Sequence, residues 1–461
     1  MRRPLLYALP LVLAGCAGTP RQPSLEAIAW PDDSPALQLQ VLNRVSWGAS
    51  RSSAAEIARL GTGGWLTAQL RPSPATLPAD IQARVDEMTI SRRSLADLGA
   101  DLESRRRALQ KAPADERKAE RQALNEDLQR LAREAQTRML LRALYSPNQL
   151  EEQMTWFWMN HFSVFQFKGP LRALVADYEE RAIRPQVLGR FRDLLGATAR
   201  HPAMLIYLDN ARNSAGRLNE NYARELMELH TLGVDGGYTQ ADVEALARIL
   251  TGWSLDLASG ELARFYPRRH DFSTKVFLGR TVAGQGAKEL DVALDMLARH
   301  PATARFVSRK LAMFFVADEP SDALVARMAQ SFLDSGGEIP VVLRTMFASP
   351  EFALSSLRLV LDERPLPDAQ PVIGALARMG EPLYARATPD GYPLTRADWA
   401  SPGQLATRFE IARAIAYRVP ARIWDAPLGQ LSPATRETLA QASSPQEWNL
   451  LVLSSPEFMV R

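Results

Sequence analysis

From residue 36 onward, apolar positions recur at three- and four-residue steps almost everywhere, and sustained period-2 alternation is scarce. The pattern predicts a mainly all-α protein, a multi-helix array forming one helical domain over 36–461. Residues 36–70 predict two helices, broken at Gly48 and at the run Gly61-Thr62-Gly63-Gly64. Residues 80–146 are charge-dense, with a break at Pro113. Beyond it, Leu124, Leu128, Leu131, Ala135 and Met139 make one apolar stripe. Arg and Glu cover the other faces, so this segment reads as a solvated helical arm packed on the body.

A second regularity is punctuation. Ser146-Pro147, His201-Pro202, His300-Pro301, Ser349-Pro350 and Ser455-Pro456 each precede a helical pattern. Proline is preorganised for the first helical position and pushes the residue before it out of the α region, so each pair marks a helix start. Ala-Arg-His-Pro-Ala occurs at 199–203 and 298–302, and Ser-Pro-Glu-Phe at 349–352 and 455–458. These spacings are too irregular for a solenoid.

Two stretches depart from helical periodicity. Residues 254–290 read as a long irregular loop that holds short strands at Arg264–Pro267 and Lys275–Gly279, and long structured loops often carry function. Residues 381–401, with Pro389-Asp390-Gly391-Tyr392-Pro393, form a second excursion.

The first residues read as an address. Arg2 and Arg3 precede an apolar stretch, Leu5 to Leu13, too short to span a bilayer as a folded helix. It ends in Leu13-Ala14-Gly15-Cys16, which resembles a bacterial lipobox. The expectation is a lipoprotein signal peptide over 1–15, lipidation at Cys16, and a Pro- and Ser-bearing tether over 16–35. This places the chain in the cell envelope, lipid-anchored to the membrane on the periplasmic side. Ala17 after the cysteine, in place of Asp, points to the outer membrane. Cys16 is the single cysteine, which excludes a disulfide scaffold and a Cys-based zinc site. Lys+Arg is 55 and Asp+Glu 52, a net charge of +3. Removing Arg2 and Arg3 leaves 53 against 52, or +1, so nothing in the charge argues for nucleic acid.

Candidate chemistry centres on the histidines. Met154, Trp158, His161 and Phe165 follow at helical steps, so His161 interrupts an otherwise apolar stripe. It reads either as a buried histidine bonded to a carbonyl or as a ligand or base in an aromatic pocket. Residues 209–230 concentrate oxygen donors, yet Ala211 and Ser214 break the calcium-loop template. Asn221, Glu225 and Glu228 share a helical face, at roughly 0°, 40° and 340° with ~100° per residue. Asn219, Glu220, Asn221 and Glu225 are therefore candidate ligands for a divalent metal ion. Glu225 and Glu228 read equally as a surface pair with Arg224. His230 lies roughly 140° from Glu225 by the same rule, near a helix end marked by Gly233, where the dipole favours a histidine. His270-Asp271, in the loop, are a candidate acid/base pair. His201 and His300 read as helix-entry residues. The candidate catalytic set is His161, Glu225, His270 and Asp271. No Walker loop, G-x-S-x-G elbow, H-E-x-x-H or C-x-x-C-H motif occurs.

Several of these runs occur together in one known family. His201–Asn210, Asn219–Val234, Leu250-Thr251-Gly252-Trp253, His270-Asp271 and His300–Ala304 resemble the bacterial domain-of-unknown-function 1800 family. Leu42-Asn43-Arg44, Trp47-Gly48 and Ser455–Phe458 fit as well, so the resemblance covers about residues 36–461. It implies one continuous helical domain exported to the envelope and, as partner, an exported protein of the sulfatase and alkaline phosphatase type. It supplies no reaction. It also implies a second histidine where this chain has Met159. Two readings follow: an envelope enzyme dependent on a metal or cofactor, with an Asn/Glu/His site, or a non-catalytic binding or assembly module.

Overall fold

The computed structural model describes residues 33–74, 77–256, 263–349, 352, 368–399, 401–419, 421–422 and 431–455. The expected signal peptide, Cys16 and the tether up to residue 32 lie outside the described residues, while Ser34 and Pro35, expected in the tether, cap and open the first helix. The chain is mainly helical, from Pro35–Val45 to Pro445–Leu453, with two small antiparallel ribbons. Trp253–Leu255 pairs with Ala263–Phe265, and Lys275–Phe277 with Arg280–Val282. Both ribbons fall inside the predicted irregular loop.

The core is built around Gln149–His161, whose Met154, Phe157 and Trp158 are fully enclosed. Trp158 donates from its indole to the Val187 carbonyl at 3.1 Å, so its polar edge is satisfied inside the core. The predicted arm holds two short helices, Ala79–Asp86 and Thr89–Arg92, and two long ones, Leu95–Lys111 and Ala114–Tyr145. Leu128, Leu131, Ala135 and Met139 are buried along the latter, while its charged faces carry pairs such as Arg130 with Asp127 and Glu134. A C-terminal group of helices, Pro402–Ala416, Pro433–Ala440 and Pro445–Leu453, has small apolar clusters of its own around Ala416 and Trp448.

The punctuation acts through side chains. His201 and His300 are both N-caps. Each accepts, at Nδ1, the backbone N–H two residues on, from Ala203 at 3.1 Å and Ala302 at 3.2 Å. The repeated His-Pro-Ala is one capping device used twice. The break predicted at 61–64 narrows to Gly61, at φ +71°, inside Arg51–Gln69. Gly63 and Gly64 continue the helix, because Asp33 takes the Thr62 N–H at 2.9 Å and restarts the turn.

Candidate functional site

His161 sits at the last turn of the aromatic helix, walled by Phe157, Trp158 and Phe162. Its Nε2–H donates to the carbonyl of His230 at 3.0 Å, which leaves the Nδ1 lone pair facing Lys310 Nζ at 3.5 Å. The helix Asn221–Glu228 ends two residues before His230, and the chain folds back there. Leu232 N–H reaches the Met227 carbonyl, and Gly233 adopts φ +83° with a Cβ position 2.9 Å from Phe306. This turn carries the His230 ring to 6.0 Å from that of His161. His230 is 1% exposed, and neither of its ring nitrogens has a hydrogen-bond partner among the described residues. Leaving such a group unmet typically costs about 1–3 kcal/mol.

Lys310, half-buried on Pro301–Phe315, lies 5.0 Å over the Phe306 ring one turn earlier. Among the described residues no carboxylate lies within ion-pair distance of it. Burial pulls its ammonium down to about 8, against an upward pull from Asp390. Burial, then Lys310, then His230 hold His161 well below the ordinary histidine range. Burial and Lys310 take His230 down to about 3. Both imidazoles are therefore neutral beside a readily deprotonated amine.

The charge of Asp390 reaches this centre at Lys310 and acts on Glu225 as well. Burial, Glu228 and Asp390 raise Glu225, and the Tyr238 hydroxyl donates to Glu228 at 3.4 Å. Asp390 comes from the second irregular stretch. The carboxamide of Asn160 clasps that stretch at Tyr392, donating to its carbonyl at 2.9 Å and accepting its N–H at 2.5 Å. Tyr207 donates to the Ala387 carbonyl at 2.7 Å. Gly391, φ +77°, lies so close that a Cβ would meet the Asn160 carbonyl oxygen at 2.2 Å. Burial pushes Asp390 up, but Arg386 and Thr388 outweigh it and keep the carboxyl low.

The other expected site residues have different work. The Asn219 side chain donates to the Asp209 carbonyl at 3.4 Å and accepts from Asn221 N–H at 3.0 Å. Asn221 reaches the Leu208 carbonyl at 3.2 Å, and Asn213 ties in Ala247 and the Asn219 N–H. Glu220 takes Arg224 at 3.1 Å and Gln240 at 2.8 Å. Within the expected metal set, the Asn219 and Asn221 amides serve the backbone of a loop turned by Asp209 at φ +61°, and Glu220 is held by Arg224 and Gln240. Among the described residues, no three His, Cys, Asp or Glu side chains are grouped to hold a metal ion. A recess of about 530 Å³ opens beside this loop at Asp209, Arg212, Arg217 and Glu220.

His270 is likewise engaged on both sides, by Glu289 at 2.9 Å and the Thr251 carbonyl at 2.7 Å. Glu289 also pairs with Lys275 at 2.5 Å, and all three side chains are fully enclosed. Asp271 binds Arg248 at 2.7 Å. Burial raises its carboxyl, but Arg248 and Ser273 outweigh that and hold it well below the usual range. His270 and Asp271 fasten the ribbons to neighbouring helices and share no partner with His161. Of the four expected catalytic residues, His161 lies in the centre described above, and Glu225 is linked to it through Asp390, whose charge acts on both Glu225 and Lys310. His230, Lys310 and Asp390 join them, and none of the three was chosen from the sequence.

The fold and site define a mainly helical protein with a buried two-histidine, one-lysine centre. The chain belongs to the family described as "Protein of unknown function (DUF1800)", whose pattern matches residues 40–460. No curated protein and no solved structure matches it. Met159, where a second histidine was implied, is buried in the core.

Proposed function

We propose that the protein is an envelope enzyme that moves protons at His161, His230, Lys310 and Glu225, without routing the step through the Asn219–Asn221 loop. The observation that carries this reading is His230, buried with both ring nitrogens unmet beside a half-buried, uncompensated lysine. Native interiors meet such groups with a water, a ligand or a catalytic use. Nδ1 of His161 meets Lys310 Nζ at 3.5 Å, so the ring can relay a proton given up by the amine without storing it. The test is turnover by the full-length chain, in detergent, of pooled esters, amides, phosphoesters and carbonyl compounds. His161→Asn and Glu225→Gln are each expected to lose turnover by about 10²–10⁴-fold, the usual share of general acid–base catalysis, with the melting curve little changed. Turnover indifferent to both variants would sink the reading.

The location belongs to the same proposal. Lipid attachment at Cys16 would hold the domain on the periplasmic side of the outer membrane, within reach of an exported sulfatase- or phosphatase-like partner. Among the described residues no helix is long and apolar enough to cross a membrane. Cys16→Ser is expected to move the chain from the detergent phase to the aqueous phase; continued detergent partitioning would remove the anchor. A second, non-catalytic reading draws on Phe272 and Val276, 52% and 63% exposed on the ribbon segment. That apolar pair would suit a partner's surface.

A further inference from the structure

The chain has six lysines against 49 arginines, so each lysine position can be weighed individually. Lys111, Lys118 and Lys288 are exposed. Lys168 is paired with Asp209 at 2.8 Å, and Lys275 with Glu289. Lys310 differs from all five. It is half-buried, has no ion-pair partner among the described residues, and rests on an aromatic ring. Its nitrogen meets the open lone pair of an imidazole whose other nitrogen is fixed by a carbonyl. Arginine would keep the charge there but could not act as a nucleophile at any working pH.

We propose that Lys310 is a nucleophilic amine that captures a small, uncharged aldehyde or ketone as an imine. The inference rests on the acid–base centre proposed above and names its substrate class. The amine lone pair of Lys310 attacks the carbonyl carbon. One N–H proton passes by way of Nδ1 of His161 to the carbonyl oxygen, giving a carbinolamine. The C–O bond then breaks, the second N–H proton joins the departing hydroxyl, and water leaves with both amine protons. No oxidant, metal or second substrate is needed for this step.

The surroundings set the substrate's charge. Facing Lys310 are His161 from the aromatic helix, His230 from the turn after Asn221–Glu228, and Asp390 from the second excursion. On its own helix, Arg305 and Arg309 turn to Asp322. Asp390 acts on Lys310 and also on Glu225, beside which Glu228 lies, while Arg386 pairs with Asp390 at 2.9 Å. An anionic carbonyl compound is disfavoured there, and an uncharged one is not. With its ammonium pulled down to about 8, Lys310 carries about three-hundredfold more free amine at neutral pH than an ordinary lysine.

The experiment is reductive trapping on the full-length chain in detergent, with propanal and, separately, pyruvate, each with cyanoborohydride at pH 7. Adducts on all six lysines are mapped by peptide mass spectrometry. The expected result is a propyl adduct concentrated at Lys310, rising with a midpoint near pH 8, with much less from pyruvate. Lys310→Arg, checked for native circular dichroism, should lose that adduct and leave the traces at Lys111, Lys118 and Lys288 unchanged. Mapping the native chain needs no variant, so a folding failure in Lys310→Arg does not blur the outcome. Labelling of Lys310 no faster than Lys118 overturns the proposal. So does preferential capture of pyruvate. Loss of turnover in His161→Asn with no adduct at Lys310 would remove the imine and leave the acid–base centre standing.

Discussion

Glu289→Ala is expected to destabilise the chain by about 3–5 kcal/mol, the usual cost of removing one member of a buried ion pair. The carboxylate serves three donors at once: His270 Nε2 at 2.9 Å, Lys275 Nζ at 2.5 Å and the Gly286 N–H at 2.9 Å. None of the His270, Lys275 or Glu289 side chains has any exposure, so water cannot replace the lost partner without the fold opening. Lys275 would be left as a buried cation holding only the Asp271 carbonyl. Urea unfolding monitored by tryptophan fluorescence measures the loss. Hydrogen exchange should show its onset in residues 263–286, the segment this cluster pins. Glu289→Gln keeps acceptor and shape but not charge, and should lie between the two. A loss in Glu289→Ala below about 1 kcal/mol would mean that the triad is solvated and that the ribbons are held by something else.

Acid is expected to unfold the chain in a window set by its histidines. His161 and His230 have folded-state values below the ordinary 6.5, with His230 at about 3. Above pH 6.5 both states hold neutral imidazoles and the full stability is present. As pH falls below 6.5, the unfolded chain takes up protons that the folded chain refuses, so stability is lost. Each such histidine costs about tenfold in the folding equilibrium per pH unit. For His230 the loss runs from 6.5 down to its folded value. Carboxylates held low, such as Glu180 at about 2, add their loss only below their ordinary range. Glu225, raised in the folded state, works in the opposite sense as it protonates. The isolating comparison is His230→Gln: its unfolding midpoint should fall less steeply between pH 6.5 and 5 than the parent's. Equal slopes would show that His230 titrates freely in the folded chain, and that its burial is not what the geometry indicates.

Much of the helical fold was legible because its signals are local. The stripe from Leu128 to Met139 is written in consecutive turns, and the His-Pro-Ala caps are complete within three residues. The strands at Ala263–Phe265 and Lys275–Phe277 lay where the periodicity failed. Their partners, Trp253–Leu255 and Arg280–Val282, carried no pattern of their own and became strands by pairing. His161 stood out because it interrupts an apolar row. His230 was read as a residue near a helix end, and the helix does end at Glu228; its place beside His161, 69 positions away, left no local trace. The Asn run looked like a ligand set because a carboxamide can serve a loop or a cation; here the amide N–H groups donate to the Leu208, Asp209 and Ala247 carbonyls, and the Asn219 oxygen takes a backbone N–H. Lys310 and Asp390 carry no local signal. What makes them notable is what surrounds them, contributed by segments far apart along the chain.

The Asn160–Tyr392 clasp joins residues 232 positions apart. Contacts at such separation pay a large loop-closure entropy before they return anything, and they form late in folding. For a chain made from its N-terminus, this fixes an order of events. The aromatic helix and the His230 turn can be in place while residues beyond 380 are still to be added. Asp390 reaches its station only with the last part of the polypeptide. The charge that opposes deprotonation of Lys310 is thus delivered at the end of synthesis, and the centre matures only then.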